Sequence, residues 1–166
     1  MARRSNGFTL LELVVVIALI SVLLTVAVAR LAGYVREAER VAVLSLEGQL
    51  RNALTLETAR RILNDDDAGL LALEHSNPMR LVLEAPYNYA GELPPQDHYL
   101  VEPRHWFFDL GEHELVYRRS ATAGNSKTGH DIRYRVKVAY NDRDGDGRFA
   151  VASDELLGVR LLRQAD

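Results

Sequence analysis

Residues 8–29 form the longest hydrophobic run in the chain, FTLLELVVVIALISVLLTVAVA, about 22 predominantly apolar residues and roughly the length of a bilayer-spanning helix. One charge, Glu12, interrupts it near its start. Ser21 and Thr25 are too few to make the polar stripe of a helix buried in a soluble protein. Past Ala29 the pattern becomes amphipathic. Leu31, Tyr34, Val35, Ala38, Val41, Ala42, Leu46, Leu50, Ala53 and Leu54 recur by threes and fours, while Arg36, Glu37, Glu39, Arg40, Glu47 and Arg51 mostly fall on the other side. No proline occurs before Pro78, so the spacing predicts one helix over about residues 9–63, roughly 80 Å long at its usual rise. Gly33 and Gly48 are places where it would bend. Arg60 and Arg61 suit its C-terminus, and the Asn-Asp-Asp-Asp run at 64–67 breaks it and offers an N-cap for a short turn over 68–73.

The second half of the chain reads as a sheet. All five prolines lie between Pro78 and Pro103, which marks an irregular stretch with one short strand expected at 80–84. Trp106 to Asp109 and Glu114 to Arg119, joined by Gly111-Glu112-His113, read as a hairpin. Residues 121–129 are small and polar, as in an exposed turn. Ile132, Tyr134, Val136, Val138 and Tyr140 then alternate with Arg133, Arg135, Lys137 and Ala139, the period of a strand with one face on a core and a basic face toward solvent. A last strand is expected over 156–162. The pattern predicts an α+β fold, with three or four antiparallel strands covering the amphipathic half of the long helix.

At 166 residues the chain has room for one long helix and one ordinary domain. A net charge of −3 gives no basic footprint for nucleic acid. There is no cysteine, hence neither a disulfide framework nor a thiol nucleophile. His75, His98, His105, His113 and His130 are scattered without metal-ligand spacing and read as surface residues, and no Gly-rich phosphate loop follows a strand. The chain therefore reads as a non-enzyme. Trp106, Phe107 and Phe108 read as core, and Tyr87-Asn88-Tyr89-Ala90-Gly91 as a loop whose aromatic residues pack on the sheet.

One stretch has the pattern of a cation loop. Asp142, Asp144 and Asp146 stand at positions 1, 3 and 5 of an EF-hand-like calcium loop, Gly147 at position 6, and Arg148 at position 7, where a backbone carbonyl is a ligand. Position 12 is Ser153 rather than the bidentate Glu, so a ligand one residue late, Asp154, would have to complete the site. An Asp/Gly-rich turn between two strands accounts for the same composition without metal. Three carboxylates within five residues repel, which a cation would relieve; calcium is the expected cofactor, bound weakly.

Ahead of the apolar run sits MARRSNG, a short polar leader with Arg3 and Arg4. Secretory signals place the apolar segment before the cut and lose it. Here Gly7 comes first, and the sequence Gly7, Phe8, Thr9, Leu10, Leu11, Glu12 resembles the type IV prepilin family, whose basic leader ends in Gly before a Phe-Thr-Leu-(Ile/Leu)-Glu helix. The resemblance covers roughly the first 45 residues. It implies cleavage between Gly7 and Phe8 by a membrane prepilin peptidase, N-methylation of Phe8 by the same enzyme, and contact of Glu12 with the N-terminal amine of a neighbouring subunit during filament assembly. It also implies a single-pass protein of the bacterial inner membrane with its C-terminal domain in the periplasm. The segments are then a leader at 1–7, a membrane and filament-core helix at 8–30, its amphipathic continuation at 31–63 and a β-rich domain at 64–166. Expected partners are the peptidase, other pilin or pseudopilin subunits, an inner-membrane assembly platform and lipid. Lack of cysteine leans toward the pseudopilins of type II secretion. Two readings compete: an uncleaved membrane anchor, which has no use for Glu12, and a tethered module that captures a ligand through its 86–105 loops without joining a filament.

Overall fold

The computed structural model describes residues 9–120, 131–145, 147, 149 and 153–164, with Ala32 and Arg36 described in their backbone alone. Helix α1 runs Leu10–Leu63. The chain divides between Leu44 and Ser45 into two compact units.

In the first unit, Thr9 caps α1. Its side-chain oxygen accepts the Glu12 backbone N–H at 3.2 Å, and its carbonyl accepts that of Leu13 at 3.1 Å. Every residue of 9–31 is exposed, and a window of this helix has a mean hydropathy of 2.9. Length and composition suit a membrane crossing. The hydroxyls inside the run are satisfied within the helix itself, Ser21 donating to the Ile17 carbonyl and Thr25 to that of Ser21, each at 2.8 Å. That internal pairing satisfies the Ser21 and Thr25 hydroxyl protons without water, as an apolar surrounding requires.

In the second unit the rest of α1 lays a stripe at four-residue spacing, Leu46, Leu50, Leu54 and Thr58, into a core. Asp66 then caps a short helix, α2 (Asp67–Ala72), by accepting from the Gly69 N–H at 2.9 Å. Five strands follow among the described residues: β1 (Tyr89–Leu93), β2 (Trp106–Asp109), β3 (Glu114–Tyr117), β4 (Ile132–Asn141) and β5 (Glu155–Arg163). They lie in chain order; β1 and β2 are parallel and the other pairs antiparallel. One face of the sheet buries Trp106, Phe108, Leu115, Tyr117, Tyr134, Val136 and Leu161, and the other packs Phe107 and Val116 with Val101 and Leu93.

Three expectations change. The strand expected at 80–84 does not form: Pro78–Leu81 is a 3-10 turn, with proline in its first positions and the Asn77 side chain accepting the Met79 N–H. The strand of this region lies instead within and beyond the Tyr87–Gly91 stretch, as β1. Asn77 and Arg80 both bind Glu92 there, and Asn77 also binds the Tyr89 hydroxyl at 2.7 Å. The sheet is therefore five-stranded and not wholly antiparallel, because the connection from β1 to β2, through the 3-10 helix Pro95–Leu100, is long enough for a crossover. The alternation in β4 is as expected, but its basic face is only partly solvated. Glu114, across the hairpin, bonds Arg133 at 3.2 Å and Arg135 at 2.8 Å.

Candidate functional site

Two regions carry the chemistry predicted from the sequence. At the N-terminal region, Thr9 and Glu12 stand in the relation of an N-cap and the third helical residue, the spacing of a capping box. Glu12 thus lies in the first turn of α1, where a carboxylate meets the positive end of the helix dipole. Around it the helix presents Leu10, Leu11 and Leu13, all more than half exposed. A carboxylate on such a surface, once the surface is covered by lipid or protein, needs a cationic or donor partner in the same apolar medium. Gly7 and Phe8, the expected cleavage and methylation residues, lie outside the described residues.

The second region is the β4–β5 connection. Carboxylate oxygens of Asp142, Asp144 and Asp154 all lie within 4.8 Å of one another. The chain turns tightly here through Gly145 and Gly147, both in the left-handed region at φ 76° and 74°. Asp142 holds that turn by accepting the Gly145 N–H at 2.6 Å and the Gly147 N–H at 2.9 Å, and Asp154 closes it by accepting the Arg143 N–H at 3.0 Å. The Arg143 side chain pairs with Glu155 at 2.7 Å. The residue expected to stand one place late, Asp154, is thus brought to Asp142 and Asp144. Asp146 and Arg148 lie outside the described residues. Three carboxylates at this spacing are a hard-oxygen donor set of the kind calcium takes, and the same oxygens also serve as turn acceptors.

Elsewhere the polar groups hold the fold. Buried Glu47 accepts the Tyr134 hydroxyl at 3.2 Å and pairs with Arg51. Burial, followed by the Glu47 charge, pushes the Tyr134 phenol up to about 12. Glu74 accepts the Val138 N–H at 2.9 Å, taking the place of a neighbouring strand beyond the end of short β3. None of these was singled out from sequence, since Glu47 and Tyr134 stand 87 residues apart and Glu74 and Val138 stand 64 apart. Of the histidines, His75 and His113 are exposed as expected. His98 is not: its Nε2 is buried, 3.4 Å from Asp109, because Pro95–Leu100 folds over the Phe107 face. His130 lies outside the described residues. A groove of about 430 Å³ beside α1, lined by Ala53, Leu56, Leu81 and Val82, offers as charged groups Glu57 and Arg60, already paired to each other.

Compared with known proteins, residues 2–28 match the model of the prokaryotic N-terminal methylation motif. No curated protein and no solved structure matches the chain significantly.

Proposed function

From a chain that carries the N-terminal methylation motif, the hallmark of type IV prepilin-like proteins, we propose a structural subunit of a type II secretion pseudopilus or a type IV pilus-like filament. A prepilin peptidase cuts between Gly7 and Phe8 and methylates Phe8. The mature helix then rests in the bacterial inner membrane, with the β-rich domain in the periplasm, until an assembly platform passes it into the filament. The observation that carries this reading is the conjunction of that motif with an apolar helix of which every residue over 9–31 is exposed in the single chain. Such a surface calls for a bilayer first and other subunits afterwards.

Glu12 gives the assembly its register. In the apolar medium its carboxylate costs free energy until it meets the amine of a neighbouring subunit's Phe8, so the attraction is realised only between correctly staggered helices. Absence of cysteine favours the pseudopilus among the two filaments. Calcium at Asp142, Asp144 and Asp154 is a further part of the proposal, as a weak structural ion that joins the end of β4 to the start of β5. Cross-linking between subunits in cells tests the assembly: Glu12→Ala should insert in the membrane at wild-type level and enter filaments poorly. Wild-type incorporation of that variant would instead favour a membrane-tethered binding module.

A further inference from the structure

The half of the sheet toward β5 carries positive charge that no described residue balances. Lys137 in β4 and Arg160 in β5 are direct cross-strand partners, so both side chains leave the same face and their like charges repel. Both side chains are exposed, and among the described residues neither side chain has a hydrogen bond or an ion pair. Toward β3 the same face is neutralised, since Arg133 and Arg135 share Glu114 and each has a second carboxylate near it, Asp109 at 3.9 Å from Arg133 and Glu112 at 3.8 Å from Arg135. The uncompensated charge is thus confined to the β4–β5 ladder, in a chain of net charge −3. Beside it Ala139 faces Gly158, a pair without bulk, and a Cβ at Gly158 would meet nothing within 4 Å. On the other side Leu162 is 44% exposed. β5 is also a terminal strand of the sheet, with the row of backbone donors and acceptors that such an edge presents.

We propose that the β5 edge and the Lys137–Arg160 face together dock an extended acidic segment of another protein, added beside β5 as one more strand. Backbone pairing along the edge supplies affinity, and alternate side chains supply specificity. A carboxylate of the added strand falls directly across from Arg160, within reach of Lys137, and offsets the repulsion between them. Another copy of this chain is the wrong occupant, because it brings two more cations to a crowded edge. Nucleic acid needs a longer track of cations to match its phosphates, and two basic residues hold an anionic membrane surface only weakly. The proposal does not depend on how the apolar half of α1 assembles.

The test uses the full chain in its own cells, with photo-activatable benzoylphenylalanine in place of Leu162 and sequencing of the cross-linked peptide by mass spectrometry. The expected product joins this chain to a different protein, at a segment with Asp or Glu at alternate positions. Its yield should fall about tenfold or more when Lys137→Glu and Arg160→Glu are combined. The milder pair Lys137→Gln and Arg160→Gln, which keeps the fold free of new charge, should also lower it, and Lys137→Arg should not. Cross-links only to lipid, only to a second copy, or to none overturn the proposal, as does a protein cross-link that charge removal leaves unchanged.

Discussion

Replacing Tyr134 by Phe removes one oxygen from the interior and tests how the sheet is fastened to the second half of α1. Tyr134 is 1% exposed, and its hydroxyl donates to Glu47, itself 6% exposed, at 3.2 Å. A hydrogen bond to a charged group contributes about 1.5–3 kcal/mol. Arg51 stays in place to neutralise Glu47, so the expected loss is at the lower end of that range. Urea unfolding of the soluble chain after about Gly33 measures it, as a lower midpoint with an unchanged slope. The pH dependence separates the hydrogen bond from simple packing. With its phenol pushed up to about 12, Tyr134 stays protonated in the fold where the unfolded chain, with a phenol pKa near 10, has begun to ionise. Its contribution is fully present below about pH 10 and is lost as pH rises toward 12. The Phe variant should lack that part of the alkaline decline. An unchanged midpoint, or equal alkaline slopes in both proteins, refutes the reasoning.

Three further outcomes follow from the same contacts and from the acidic turn. Glu57 is held down to about 2, first by its hydrogen bond to Arg60 against the opposing pull of burial, with Arg61 adding to it. A depressed carboxylate stabilises the fold above its unfolded pKa, so this contribution should fade as pH drops from about 4.5 toward 2, and Glu57→Gln should flatten that limb of a stability-versus-pH curve. Thermal melting of the soluble domain in calcium and in chelator tests the Asp142, Asp144 and Asp154 cluster. Bound calcium should raise stability by about 2.7 kcal/mol at a hundredfold excess over Kd, Asp144→Ala and Asp154→Ala should each abolish the shift, and equal melting at millimolar calcium leaves an acidic turn alone. Gly7→Arg should block cutting and leave the longer chain in the membrane, whereas normal processing of that variant would contradict the assigned leader.

What was legible in the sequence follows from how far along the chain each element is decided. Helix α1 is local: unbroken apolar spacing, no proline, and Arg60 and Arg61 before the acidic break placed its C-terminal end correctly. β4 was equally readable, because it alternates over ten residues, and β5 forms over the stretch where a last strand was expected. The Pro-rich stretch was not. Residues 80–84 have strand-like composition, yet Asn77 and Pro78 commit the chain to a turn, and β1 is fixed by side chains reaching across from Asn77 and Arg80 to Glu92. Partners 12 and 15 residues apart leave no periodic trace. The buried Glu47–Tyr134 pair spans 87 residues and was invisible for the same reason. The acidic loop was half readable: the Asp spacing was plain, and a hairpin closure was needed to bring Asp154 to Asp142.

The mass of the mature chain tests the proposed processing most directly. Protein extracted from the native membrane of cells with an active prepilin peptidase, measured intact and then fragmented from its N-terminus, should begin at Phe8 and carry one methyl group on its amine. A chain that still begins at Met1 or Ala2 in those cells would contradict it.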